Sequence, residues 1–170
     1  MREGKNVATP DAATLLAGFV LAHAAWSVCD LPEGDLLVPM AITEVGGERK
    51  LTRFEAETQE QAIAKGKEFV ADQQASSSAW AFAREGQMKT SDGYIDVLVV
   101  DAWATGMTEP ITFIQPFRPY ASGAFKLLGP AVPVVAGSML SPEQSEPYLS
   151  ILYRGVGGHG KAAALWESWQ

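Results

Sequence analysis

A glycine-rich stretch in the last part of the sequence has the spacing of a phosphate-binding loop. In GVGGHGKAAALW, Gly155, Gly160 and Lys161 match G-x-x-x-x-G-K, the Walker A pattern. Such a loop surrounds a phosphate with backbone N–H groups, its lysine reaches the outer phosphate oxygens, and a following Ser or Thr holds Mg²⁺. Position 162 is alanine, and few residues follow in which a nucleotide-binding fold could continue. The stretch therefore favours a helix-breaking joint after a helix capped by Ser141, with anion binding as the alternative.

A second group of residues that could do chemistry lies on two candidate strands. Asp101 falls on the strand face of Val99, where an apolar residue is expected, and Arg84 shares a face with Phe82 on the preceding strand. If those faces coincide, the two charges pair across a hydrophobic surface. The pair is then either an ordinary cross-strand ion pair or the polar part of an aromatic-lined ligand groove. The tentative groove residues are Asp101, Arg84, Arg118, Trp103 and Trp80.

No catalytic constellation or metal-ligand pattern can be found in the sequence. His23 and His159 have no partner at a spacing such as H-x-x-x-H, so we expect a helix histidine and a loop histidine. Cys29 and His23 fall on different sides of a helix, which disfavours a nucleophile and base pair. We therefore expect no cofactor, no metal and no catalytic residue, and whether the protein is an enzyme stays open.

The composition is that of one acidic domain. A chain of 170 residues that is 47% hydrophobic can bury one substantial core. The formal net charge of −7 repels polyphosphate, so nucleic-acid binding is not expected. A single cysteine excludes an intrachain disulfide and is typical of a cytoplasmic protein.

The apolar run at residues 12–29 predicts a helix that is hydrophobic on all sides. Thr9 is a suitable N-cap, Pro10 suits the first helical position, and Asp30 and Pro32 end the run. A buried core helix is the favoured interpretation, while a secretory signal or a membrane anchor remains open. We do not expect the protein to associate with membranes.

The middle of the chain predicts a hairpin, a helix and a meander of strands. Gly46 and Gly47 separate two β-prone runs, with Pro39 placing the first at an edge or bulge and Phe54 pointing toward the core. Thr58 starts an amphipathic helix in which Gly66 allows close approach of a neighbouring backbone. Strands follow within 78–85, 94–106 and 111–120, and a proline-broken one within 124–135, joined by short turns. The strand within 78–85 has a face of small side chains, against which a helix could pack.

These elements predict an α+β fold, an antiparallel sheet of about five strands with helices packed on one face. Residues 1–136 form the predicted domain, and residues 137–170 form a helical C-terminal appendage. We expect a non-catalytic protein that acts through protein association, as a homodimer or other homo-oligomer formed through its apolar terminal segments. The rival expectation is a ligand-binding or enzymatic domain that uses the aromatic sheet face with Asp101, Arg84 and Arg118.

Overall fold

A computed structural model describes the backbone of residues 3–170 and the side chains from Pro10 onward. Its helices are α1 (Glu3–Val28), α2 (Gln59–Gln73), α3 (Pro142–Gly157) and α4 (Gly160–Leu165). Its strands are β1 (Met40–Val45), β2 (Glu48–Arg53), β3 (Ala79–Thr90), β4 (Gly93–Ala104), β5 (Ile111–Arg118), β6 (Lys126–Leu127), β7 (Val132–Val135) and β8 (Ser138–Met139). Short 3₁₀ turns occupy Tyr120–Ser122 and Trp166–Trp169.

The strands form one antiparallel sheet in the order β2-β1-β3-β4-β5-β7-β8, with β6 paired to β5. The α+β class and the meander through β3, β4 and β5 are confirmed. The described residues contain eight strands rather than about five. The additional ones, β6 to β8, are short pieces separated by turns in a proline-rich stretch, where sequence periodicity is too brief to reveal a strand.

The predicted hairpin is present, and its turn explains the glycine pair. Gly46 and Gly47 have φ values of 58° and 85°, and a two-residue turn with positive φ at both positions suits paired antiparallel strands. Phe54 is only 7% exposed, as expected for a core residue. The edge position predicted from Pro39 is wrong, because β1 lies between β2 and β3 and Pro39 precedes the strand.

Helices cover both sides of the sheet, so the prediction of helices on one face is wrong. The small side chains of β3, at Ala79, Ala81 and Ala83, belong to the core cluster of α1, as the sequence suggested. The large side chains of Trp80 and Phe82 on the other face belong to the cluster of α2. Both faces of β3 are apolar, and each therefore requires its own covering layer.

Helix α2 begins as predicted. The Thr58 side chain accepts a hydrogen bond from the Gln61 N–H at 3.1 Å. Gly66 has a different role from the one expected, because a methyl group at this position would overlap the Phe82 ring rather than a neighbouring backbone. The glycine lets the helix settle over a large aromatic side chain.

Helix α1 starts earlier than the sequence predicts. It begins at Glu3, so Pro10 lies inside the helix and costs it one backbone hydrogen bond instead of opening it. The segment Pro10–Val28 is long and apolar enough to cross a membrane by length and composition, and 61% of that window is buried within the protein. Leu16, Val20 and Leu21 are at most 1% exposed in the main core.

The C-terminal segment packs against α1 and the end of the sheet. Ser141 and Gln144 form a reciprocal capping box at the start of α3, which confirms the predicted cap. Leu152 and Val156 of α3 share the core cluster of α1, and Trp169 packs edge-on against Phe125 with ring centroids 5.2 Å apart. The division into a domain at residues 1–136 and a C-terminal appendage at residues 137–170 stays a prediction.

Two glycines allow α1 and α3 to cross in direct backbone contact. A methyl group on Gly18 would overlap the Leu152 carbonyl, and one on Gly155 would overlap the Leu15 carbonyl. Gly155, which counts as the first glycine of the Walker-like pattern, is buried inside α3. Its absent side chain serves helix packing.

Gly155→Ala or Gly18→Ala should therefore destabilise the protein strongly. We expect the free energy of unfolding to fall by about 3 kcal/mol, since neither carbonyl can move away without separating the helices. Urea denaturation followed by circular dichroism measures this change.

Gly157→Ala is the matched control in the same helix, because nothing lies within 4 Å of a methyl group there. Its effect should be neutral or stabilising by up to about 1 kcal/mol. Equal losses at positions 155 and 157 would contradict the close-crossing explanation.

Candidate functional site

The predicted pairing of Arg84 with Asp101 is confirmed. Asp101 lies opposite Phe82 in the β3–β4 register, one diagonal step from Arg84. Arg84 Nη1 donates to Asp101 Oδ2 at 2.7 Å, and Thr112 Oγ1 on β5 donates to Oδ1 at 2.6 Å. The two charged side chains are 18% and 20% exposed, so the pair is largely withdrawn from solvent. Both carboxylate oxygens already accept hydrogen bonds.

The other predicted groove residues do not gather around this pair. Trp80 and Trp103 are 3% and 7% exposed and are packed in the α2 cluster, so their rings do not line an open groove. Arg118 lies at the opposite end of β5 from Thr112, and its Nε donates to the Ala124 carbonyl at 2.9 Å. The structure therefore pairs Arg84 with Asp101, buries both tryptophans in the α2 cluster and places Arg118 elsewhere.

The ion pair marks the limit of the α2 layer. On this side of the sheet, the main contacts of α2 among the described residues are with β1 and β3, and Trp103 of β4 belongs to the same cluster. Beyond the pair, four strands present aliphatic side chains that are only partly buried, and these surround the buried Val97 and Pro116. We call this surface the open sheet face, and it consists of Met88, Ile95, Val99, Ile114, Val132 and Val134.

The Walker-like residues are divided between two helices. Gly155 is buried within α3, whereas Gly160 and Lys161 open α4, so the predicted joint lies between the helices. Lys161 Nζ lies 4.8 Å from the centroid of the Trp26 ring. The Ala162 N–H, which a bound anion would need, donates to His159 Nδ1 at 3.1 Å.

The two histidines, unrelated by any sequence pattern, meet at this joint. His23 Nδ1 and His159 Nε2 are 3.0 Å apart although 136 positions separate them in sequence. Phe19 and Trp26 border the pair, with ring centroids 5.2 Å and 5.9 Å from that of His159. His159 also caps α4, so the predicted loop histidine has a structural role that local spacing does not reveal.

The hydrogen bonds of this pair permit one arrangement of protons. The Ala162 N–H can only donate, so His159 Nδ1 must be unprotonated and its Nε2 must carry the proton. That proton is donated to His23 Nδ1, which leaves the proton of neutral His23 on Nε2, a buried atom without a partner among the described residues. A further proton on His159 Nδ1 would face the Ala162 N–H at the α4 cap. A further proton on His23 Nδ1 would face the His159 Nε2–H between the rings. In both cases two donors would oppose each other. Only the neutral pair allows both observed hydrogen bonds, from the Ala162 N–H to His159 and from His159 to His23.

The electrostatic surroundings act in the same direction. Burial lowers the pKa of His23 most, and the neighbouring His159 and Arg53 lower it further. Burial also lowers the pKa of His159, with a backbone hydrogen bond opposing and Lys161 assisting the shift. Positive charges from β2 and α4 thus face a pair that must stay neutral.

Cys29 does not form a reactive pair with His23. Its Sγ donates to the Trp26 carbonyl at 3.1 Å, and burial together with Asp30 raises the pKa of the thiol. His23 Nδ1 is occupied by His159. A protonated thiol and an engaged imidazole do not make a nucleophile and base.

Comparison with protein-family models, curated proteins and solved structures finds no match for the chain. Within the part of the chain that the structure describes, no group of three or more His, Cys, Asp or Glu side chains is placed to hold a metal ion.

Stability should fall as the pH drops below the ordinary histidine pKa of about 6.5. The folded-state pKa values of His23 and His159 are lowered, so below about pH 6.5 the unfolded chain binds more protons than the folded chain. The contribution of the pair to the free energy of unfolding is therefore fully present only above that pH. Each histidine contributes a slope of at most about 1.4 kcal/mol per pH unit. Urea denaturation at pH values from 7.5 to about 5 measures the slope.

His159→Asn isolates this effect, because asparagine can cap α4 without titrating near neutral pH. We expect the variant to lose at least half of the slope. Glu85, whose pKa is raised by burial, contributes with the opposite sign but is common to both proteins and cancels in the difference. Identical slopes would contradict the assigned proton arrangement.

Asp101→Asn should lower the free energy of unfolding by about 1–3 kcal/mol, since it leaves the Arg84 charge half-buried without a countercharge. Denaturation measures the loss, and Asp92→Asn in the exposed β3–β4 turn should change stability by less than about 0.5 kcal/mol. An Asp101→Asn protein of unchanged stability would show that the pair has no structural role.

Proposed function

We propose that the chain is a non-catalytic cytoplasmic protein that acts by associating with a second copy of itself through the open sheet face. The observation that carries this proposal is the aliphatic surface beyond the Arg84–Asp101 pair, which α2 leaves uncovered. Half-buried aliphatic side chains on four neighbouring strands are typical of a sheet face that packs against another layer.

The local charge of the open sheet face permits a second copy as the occupant. The chain has a formal net charge of −7, so two copies repel each other over most orientations. The Arg84 and Asp101 charges at the margin of the open sheet face neutralise each other at 2.7 Å. This face therefore lets two acidic molecules meet without placing like charges together.

Edge-to-edge pairing is a less suitable route. The edge strand β2 carries Glu48, Arg49, Lys50 and Arg53, and charged side chains on an edge oppose strand addition. The terminal segments are also a poor route, because α1 and α3 bury their apolar surfaces against each other. The other edge strand, β8, has only two residues and offers little backbone for pairing. These features favour association through the open sheet face.

The rival function, ligand binding at Asp101, Arg84 and Arg118, has less support. Both carboxylate oxygens of Asp101 already accept hydrogen bonds. Arg118 is engaged by the Ala124 carbonyl at the far end of β5. A ligand there would have to displace existing contacts.

Ile114→Glu should convert the dimer to a monomer. Ile114 lies in the middle of the face, opposite Val99 and Val132, so its carboxylate would be buried without a partner and would meet its own copy across the two-fold axis. We expect at least a ~100-fold weaker association. Sedimentation velocity over a concentration series measures the association constant.

Val45→Glu is the matched control, because Val45 is 54% exposed at the end of β1, away from the open sheet face. It should dimerise like the original chain. A monomeric original chain at high concentration, or equal weakening by both substitutions, would overturn the proposal.

A further inference from the structure

A cleft lies on the α1 side of the sheet, between β5, the chain after β6 and the C-terminal helices. Its volume is about 540 Å³, which suits a small organic molecule. The lining is mostly apolar and includes Leu127 and Val156. The open sheet face is on the other side of the sheet, so the two surfaces are independent.

A buried amide lies at the inner end of the cleft. Gln115 is 1% exposed and stands on β5 between Phe113 and Phe117, where the core otherwise uses aromatic side chains. Its side-chain nitrogen Nε2 donates to the carbonyls of Pro116 and Gly129, each at 2.9 Å. Two carbonyl partners fix which end of the amide is nitrogen, so Oε1 is left to accept from an occupant of the cleft.

Two aromatic side chains form the walls. The rings of Tyr153 on α3 and Trp166 after α4 have centroids 6.3 Å apart and are tilted by 59°. The Tyr153 hydroxyl accepts from the Ala131 N–H at 3.0 Å, and burial raises the pKa of the phenol. A neutral phenol and an indole offer flat apolar surfaces for a planar ring.

The net charge of the protein disfavours anions in the cleft, whereas the rim itself carries one charge of each sign. Glu167 lines the cleft and is exposed to solvent, and Lys126 Nζ donates to the carbonyl of Gln170, another lining residue, at 3.0 Å. The net charge of the chain is −7, which produces a general repulsion of acids. Neutral or cationic molecules avoid this cost.

We propose that this cleft is a binding site for a neutral or cationic planar aromatic molecule that carries an N–H donor. The ring lies against Tyr153 and Trp166, and the N–H donates to Gln115 Oε1. A buried acceptor discriminates strongly against an analogue without the donor, because the acceptor would then be desolvated and unpaired.

The test uses indole, 1-methylindole, tryptamine and indole-3-acetate as probes on the full chain. Two-dimensional ¹H–¹⁵N NMR should show chemical-shift changes for the backbone amides of Gly129, Ala131 and Val156. For a ligand of this size we expect a dissociation constant on the order of 1 mM for indole. Binding should be at least tenfold weaker for 1-methylindole, which lacks the donor, and weaker for indole-3-acetate than for tryptamine.

Matched variants locate the site without disturbing the core. Ala163 is exposed and lines the cleft, whereas Ala164 is exposed on the same helix and does not. Ala163→Phe should abolish the shifts and Ala164→Phe should preserve them. Glu167→Gln should reduce the preference for tryptamine over indole-3-acetate, and Glu68→Gln on α2 should not.

Three results would overturn the proposal. Absence of chemical-shift changes at high indole concentration would show that the cleft does not bind the ring. Equal binding of indole and 1-methylindole would show that Gln115 does not accept a hydrogen bond from the ligand. Shifts that survive Ala163→Phe place the ligand elsewhere.

Discussion

The backbone contact between α1 and α3 determines how the C-terminal helices are arranged against the rest of the protein. Gly18 and Gly155 let the two helices approach until a methyl group on either would meet a carbonyl of the other. That depth brings Leu152 and Val156 into the core of α1 and directs the chain after α3 back across the sheet. The joint, the His23–His159 pair and the aromatic cleft all follow from where this crossing places the end of α3.

Because side chains alternate along each strand, the two faces of the sheet carry different types of residue. The alanines of β3 accept a closely packed α1, while the aromatic residues between them require α2 as a second layer. Helix α2 is too short to cover the whole face, and Arg84 with Asp101 lies where its coverage ends. A paired charge at that limit is tolerable because it is partly solvated, and beyond it the surface becomes aliphatic and open.

The local features were predictable because their causes are local. The Gly46-Gly47 hairpin, the Thr58 cap, the small face of β3 and the Arg84–Asp101 pair follow from turn geometry and strand alternation. Features that depend on distant residues were not predictable. Local spacing suggests a joint or an anion site at Gly155, because the residues that explain this glycine, Leu15 and Gly18, are far away in sequence. In the same way, no residue near His23 in sequence indicates its contact with His159. The helical layer on the second face of the sheet was not predicted. Both faces of β3 are apolar, and the sequence pattern does not show which helix packs on which face.

Strand β5 contributes consecutive residues to two separate surfaces. Ile114 belongs to the open sheet face and Gln115 to the cleft, so one strand separates the proposed self-association surface from the proposed ligand site. Because the two surfaces are on opposite sides, a ligand in the cleft would not compete sterically with a second copy. Gln115 and Tyr153 bind the chain just before β7, at the Gly129 carbonyl and the Ala131 N–H, and β7 itself carries Val132 and Val134 of the open sheet face. Coupling between the two proposed functions would therefore act through a shift of β7 against β5.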